Sequence, residues 1–410
     1  MADVKPFVCQ RPTADIALEV AALPYDVFSR EEAAAEITKH PKSFLRIDKS
    51  CAVLPNDVDE YDAQVYAKAV ELLNADIQAG VFFDEDKEHY FIYRLIKDGQ
   101  AQTGIVSCIA VRDFENGILK RHENTRSFKL EDRVFHIEAL NAHTGPVFVA
   151  HRPQDELNAI IEHVVTSSRP LYDFVASDDV RHTVWRLDDK NAEETIRSCF
   201  AELDALYIVD GHHRASAAAR IGMRKGGEAE YFLIIAFPAD QLRVLDYNRV
   251  VYDTNGLSCE ELLGHIANSF EIKRLGKEPV KPAQKGEFTM YLDGEWYRLI
   301  IHEGLRPLDP VAGLDVSLLH DLLLRPILGI DDPRSSDRIA FVGGIRGLEE
   351  LKSRAEALRC TQNPIGGVSF VLYPCEIEEI FDVADAGRLM PPKSTWFEPK
   401  PRSGLFIHRI

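Results

Sequence analysis

Along the chain the spacing of apolar residues switches several times between a helical and a strand period. Val65, Ala69, Leu72, Leu73 and Ile77 recur every third or fourth position and Gly80 follows, which predicts an amphipathic helix ended by glycine. Upstream, Ser29-Arg30-Glu31-Glu32 predicts an N-cap with acids in the first turn, so residues 31–80 are expected to be mainly helical. Then the period shortens. Tyr90-Phe91-Ile92-Tyr93-Arg94-Leu95 and residues 104–111 predict two paired strands around Asp98-Gly99, a favoured hairpin turn.

Helical pattern resumes before Asn141, and residues 146–150 predict a strand. Alternation continues with helices over 153–165 and 192–203 and a strand over 183–187. Ala205-Leu206-Tyr207-Ile208-Val209 is an apolar run that predicts a buried strand, stopped at Asp210-Gly211. Five of the seven residues in 215–221 are Ala or Ile, which predicts a helix, and 230–237 predicts another buried strand. Beyond about residue 255 helix and strand alternate again, with the loop 277–286 as a candidate boundary. The expected architecture is mixed α+β, in three blocks: a mainly helical 1–85, a central 86–255 and an α/β region 256–410. Within the last block, 391–410 is an extended tail whose Trp396, Phe397, Leu405, Phe406 and Ile407 predict docking onto the core.

Composition narrows the class. The 410 residues, 45% hydrophobic with ordinary Gly and Pro, are those of a globular protein. The longest apolar stretch, 231–238, is far short of the roughly 20 residues that span a bilayer, so no membrane partner is expected. No signal-peptide pattern opens the sequence, and the seven cysteines lack any C-x-x-C pair or zinc-like spacing. A soluble, cytoplasmic protein with reduced thiols is expected.

The net charge of −18 repels nucleic acid, yet basic residues gather in three windows. Residues 119–133 carry a net +2, 211–225 a net +4 and 391–410 a net +3. Basic islands on an acidic protein suit a small anionic ligand, although solvated basic faces are the plainer reading.

The central window holds the most informative segment, Val209-Asp210-Gly211-His212-His213-Arg214-Ala215. A buried strand ends, glycine permits a sharp turn and a helix begins at once. Its first turn presents unpaired N–H groups, and Arg214 adds a guanidinium fork suited to phosphate oxygens. Asp210 also admits reading as a plain helix cap. His212 and His213 point about 100° apart on a helix, so one faces a ligand and the other packs. No Walker motif occurs anywhere in the sequence.

Tyr207-Ile208-Val209-Asp210-Gly211-His212-His213-Arg214 resembles the hallmark of the free serine kinases, enzymes with a ParB/sulfiredoxin-like fold. His122-Glu123 resembles their His-Glu pair, and Pro392-Lys393-Ser394-Thr395 resembles their C-terminal Pro-Lys-Thr-Thr, in the same order along the chain. As a whole, the sequence resembles a larger, little-characterised family, a domain of unknown function, that contains this kinase-like core. Its marks here include Leu23-Pro24-Tyr25-Asp26-Val27, Leu328-Gly329-Ile330-Asp331-Asp332-Pro333-Arg334 and the segment 390–397.

The resemblance implies that 86–255 is a ParB/sulfiredoxin-like catalytic core and that the tail 391–410 returns to it. It implies Glu123 as the base that takes a proton from an attacking hydroxyl. Asp210 would hold Mg²⁺ or orient that hydroxyl, and His213 with Arg214 would contact the transferring phosphoryl group. Gly211, His212, Lys393, Ser394 and Thr395 would bind the nucleotide, ATP or ADP. The implied acceptor is a small hydroxylated metabolite, free L-serine first. The sequence departs from the compact kinases in the longer span from Glu123 to Asp210, in residues 1–85 and in Ser394 where they carry threonine.

Two other classes remain open. Glu123-Asn124-Thr125-Arg126 resembles a nucleotide-contacting motif of ParB-like switches, which bind nucleotide without transferring phosphate. DNA binding by ParB-fold analogy is opposed by the charge and by the lack of a helix-turn-helix pattern.

Overall fold

Asp98 and Gly99 take φ of +51° and +77°, the left-handed pair that a tight hairpin demands, and join Phe91–Lys97 to Gln100–Ala110 as expected. The computed structural model describes residues 2–125 and 127–410, so Arg126 of the ParB-like motif lies outside the described residues. The chain divides into two compact units rather than three blocks. One takes the residues up to Leu242 together with Pro399–Ile410, and the other is Arg243–Glu398. The loop at 277–286 lies inside the second unit, and the chain passes between units at Leu242 and again after Glu398.

In the first unit the hairpin is the middle of a nine-stranded mixed sheet. Its order is Leu119–Lys120, Leu206–Asp210, Val147–His151, Tyr231–Pro238, Gln100–Ala110, Phe91–Lys97, Arg181–Arg186 and Tyr172–Val175, with Val4–Lys5 pairing the end of Gln100–Ala110. Helices Asp155–Ser167, Lys190–Glu202 and His212–Lys225 contribute Leu157, Ile161, Phe200, Ala215 and Ala218 to a core shared with Ile105, Ile208 and Ile234. Each large side chain fully buried there contributes about 1.5–3 kcal/mol.

The amino-terminal residues are helical where expected. Ser29 caps Arg30–Lys39 in a reciprocal box with Glu32, and Asp62 caps Ala63–Gln78. Phe44, Leu45, Leu73 and Phe82 form a smaller core with Leu140 and Ile407, so residues 1–85 are built into the first unit. A four-stranded sheet closes this side, ordered Phe82–Asp84, Cys9–Pro12, Ile407–Arg409, Ala142–His143.

The second unit is an antiparallel sheet ordered Phe270–Gly276, Glu295–Ile301, Glu287–Leu292, Val368–Leu372, Tyr247–Val251, Ile339–Gly343. The helical stretch from Asp315, ending in a π-turn at His320–Leu324, covers one face through Leu319, Leu323 and Leu324. The class is mixed α+β, as the pattern predicted. Among the described residues no helix is long and apolar enough to cross a membrane.

Candidate functional site

A two-residue strand explains how distant segments meet. Leu119–Lys120 runs parallel to Leu206–Asp210, pairing Leu119 with Leu206 and Lys120 with Tyr207. That register carries the next residues, Arg121-His122-Glu123, alongside the end of the strand Leu206–Asp210, where Asp210 stands. The His122 ring lies edge-on to His212, with ring centroids 4.6 Å apart. Both imidazoles are buried and their Nε2 atoms have no hydrogen-bond partner. Burial pushes the pKa of His122 down to about 4 and that of His212 well below its usual value, so both rings are neutral near pH 7.

Gly211 turns the chain with φ +92° and begins the helix His212–Lys225 without any side-chain cap. The cap reading of Asp210 is therefore replaced by an ionic one. Asp210 Oδ2 accepts from Arg214 Nη2 at 3.0 Å and Oδ1 accepts from Lys400 Nζ at 2.7 Å. Burial raises the pKa of Asp210, but the charges of Lys400 and Arg214 outweigh it and hold the carboxyl at about 2. Arg214 also donates to the Pro146 carbonyl at 2.5 Å and lies across Gly211. A Cβ on Gly211 would sit 3.0 Å from the guanidinium, and one on Gly145 3.1 Å from Nη1. Two glycines thus leave room for one arginine.

Arg214 forms part of the wall of a small recess, partly open to solvent. Tyr25, Asp48, Arg133, His143 and Thr144 complete much of its lining. The Arg133 guanidinium stacks 3.9 Å from the Tyr25 ring centroid, and the Thr144 hydroxyl donates to Asp48 Oδ1 at 2.7 Å. Tyr25 of the Leu-Pro-Tyr-Asp segment therefore reaches the same recess as Arg214. Arg11 does not line it and is bound to Glu85 at 2.5 Å and to the Tyr172 hydroxyl at 3.0 Å.

Of the residues singled out in the sequence, the structure brings together Asp210, Gly211, His212 and Arg214, with His122 beside them. His213 and Glu123 follow on at adjoining positions and are half-buried. Lys393, Ser394 and Thr395 belong to the second unit. There Lys393 takes φ +58° in a tight turn and the Ser394 hydroxyl donates to the Pro391 carbonyl at 2.6 Å. The tail residue that closes on Asp210 is Lys400, which sequence reasoning missed. Its signal was the basic tail window, read at Pro392-Lys393-Ser394-Thr395 instead of Pro399-Lys400-Pro401. Asp48, Arg133 and Thr144 were also missed, because nothing local in the sequence marks them.

Asp210 does not fit the role of magnesium ligand in this arrangement, since both its oxygens already hold cations. Among the described residues the one metal-like cluster is Glu85, Asp86 and His89, and Glu85 there is tied to Arg11 and Arg186.

The fold and turn define a protein of mixed α+β class with a strand–glycine–helix turn at Asp210–Arg214. The chain belongs to the DUF1015 family, described as proteins of unknown function, whose model matches residues 4–317. No curated protein matches the sequence. Among solved structures, the chain is similar to a C-terminally truncated SbnI from Staphylococcus aureus, at 12% identity and TM-score 0.38, covering 74% of this chain and 87% of that one. It is similar to a free serine kinase variant in complex with ADP, at 14% identity and TM-score 0.36, covering 73% and 92%. A conserved hypothetical protein from Pyrococcus furiosus matches at 15% identity and TM-score 0.36, covering 73% and 94%.

Proposed function

We propose that this protein is a small-molecule kinase with a ParB/sulfiredoxin-like core, transferring the terminal phosphate of ATP or ADP to the hydroxyl of free L-serine. The observation that carries this reading is the convergence of His122, Asp210–Arg214 and Lys400, three distant segments, beside a recess with charges of both signs. Guanidiniums of Arg214 and Arg133 suit phosphoryl or carboxylate oxygens, and Asp48 suits an ammonium group, which together match a small zwitterion.

Phosphoryl transfer demands positioning and charge neutralisation more than covalent chemistry. Glu123 takes the proton of the acceptor hydroxyl as its oxygen bonds to phosphorus, and the nucleotide leaves with the electrons of the broken P–O bond as ADP or AMP. Arg214, preset by Asp210 and the Pro146 carbonyl, neutralises charge on the moving group, and His213 contacts it. Gly211 leaves room for the Arg214 guanidinium at the helix N-terminus, where the phosphates would meet it. Asp210 orients this machinery through Arg214 and Lys400. Magnesium would arrive on the nucleotide phosphates and would supply charge neutralisation there. Lys393, Ser394 and Thr395 keep the phosphate-binding part that the resemblance gives them.

The test is a transfer screen of ATP, ADP and pyrophosphate against amino acids and small alcohols, read as phosphorylated product. Phosphoserine is expected, and Glu123→Gln is expected to lower kcat by about 10²–10⁴-fold while sparing nucleotide affinity. Nucleotide binding with no product from any acceptor sinks the kinase and leaves a ParB-like nucleotide-binding regulator. Salt-sensitive retardation of duplex DNA would point to the third class.

A further inference from the structure

A second cavity of the first unit shares no lining residue with the recess at Arg214. It encloses about 300 Å³, partly open to solvent, at the lower end of the range for small-molecule sites. Its walls come from the helices Ala17–Val20 and Arg30–Lys39, the turn after Tyr172–Val175 and Arg402 of the returning tail. Much of the lining is apolar. Leu18 and Val175 belong to it while 49% and 56% exposed, so two large aliphatic side chains stay in contact with solvent there.

Arg402, 4% exposed, brings a buried cation to this cavity. Two partners set its guanidinium: Nη2 donates to Asp178 Oδ1 at 2.6 Å, and Nε donates to His182 Nε2 at 3.3 Å. An imidazole that accepts at Nε2 carries its proton on Nδ1, which meets the Tyr93 hydroxyl at 2.6 Å. Burial, and after it the charge of Arg402, lowers the His182 pKa well below its usual value, which keeps the ring neutral. Among the described residues nothing accepts from the remaining nitrogen, Nη1. A guanidinium held on two sides with one arm unused is preset for an oxyanion. The cavity also carries negative charge. Glu19 is matched by Lys42 at 3.1 Å. Glu36, among the described residues, pairs with no lysine or arginine and stands 3.7 Å from the His40 imidazole.

We propose that this cavity is a second ligand site, which takes an α-amino acid with an aliphatic side chain. The carboxylate meets Arg402 Nη1, the ammonium meets Glu36, and the side chain covers Leu18 and Val175. A simple organic acid would face Glu19, Glu36 and Asp178 with no positive group of its own. A simple amine would leave Arg402 unused. The zwitterion answers both. This inference does not depend on the kinase reading, because an aliphatic side chain has no hydroxyl to accept phosphate.

The test is calorimetric titration of the full chain with L-leucine, isocaproate and isoamylamine at constant ionic strength. L-leucine is expected to fill one saturable site. Each analogue lacks one of its two charges and should bind at least tenfold more weakly. Glycine, which keeps both charges without the aliphatic tail, should fall behind by a similar factor. Arg402→Gln should weaken L-leucine at least tenfold, with Arg402→Lys, which keeps the charge without the fork, falling between. Glu36→Gln should weaken it severalfold. The proposal is overturned if L-leucine does not bind, if any of the three analogues matches it, or if Arg402→Lys and Glu36→Gln both bind like wild type. Those two milder variants keep the test decisive should Arg402→Gln not fold.

Discussion

Asp210 and Arg249 are both charged groups taken out of water, and they differ in what meets them. Asp210 receives two cations, from four residues along its own segment and from the far end of the chain, and stays ionised to about pH 2 despite burial. Arg249 receives two carbonyls, and burial lowers its pKa to about 10, which leaves it charged at neutral pH. Burial alone therefore does not set the direction of a pKa shift; the sign and number of the partners decide whether it is offset. In the Asp210–Arg214–Lys400 cluster the carboxylate fixes the direction in which Arg214 presents its remaining donors.

The sharpest way to break this comparison is Asp210→Asn. It strands Lys400 and Arg214 without their carboxylate and is expected to cost about 3–5 kcal/mol in urea unfolding at pH 7. Because the folded pKa of Asp210 lies below its unfolded value of about 3.9, its contribution is present above pH 4. It is lost as the pH falls from about 4 to about 2, and the gap between wild type and variant should close in that window. A pH-independent gap would mean that Asp210 acts through shape rather than charge. Lys400→Met removes one of two cations and should cost less, about 1–3 kcal/mol, while raising the Asp210 pKa measured by NMR titration. Gly211→Ala forces a side chain into left-handed backbone against Arg214 and should cost about 1–2 kcal/mol, read by thermal melts. Arg249→Met should be the mildest, within about 1 kcal/mol of wild type, because an unbalanced buried charge contributes little to stability. A loss as large as that of Asp210→Asn would show that Arg249 is a structural anchor.

Regular elements were legible in the sequence because each has a repeating signal. The hairpin at Asp98-Gly99, the helix Ala63–Gln78 with its Gly80 stop and the strand ending at Asp210 all follow from period and turn chemistry. The turn at Gly211 was legible for the same reason. Leu119–Lys120 was not, since two residues carry no period, yet this strand aligns His122 with the turn. Nor was the recess, because Asp48, Arg133 and Thr144 come from three elements whose meeting is set by packing alone. Reading three consecutive blocks failed where the chain leaves a unit and later re-enters it, a property with no local signature. Lys400 was hidden for that reason: its neighbours in sequence are prolines, and its partner stands 190 residues earlier.

The strand Ile407–Arg409 lies between Cys9–Pro12 and Ala142–His143, so the small sheet of the first unit is joined only through it. During translation the ribosome must therefore deliver the whole of Arg243–Glu398 before that sheet can close, roughly ten to thirty seconds at ordinary elongation rates. Throughout that interval the nascent polypeptide exposes two unpaired strand edges, and Asp210 waits for Lys400. Completion of the Asp210–Arg214–Lys400 cluster is thereby timed to the late arrival of Pro399–Ile410.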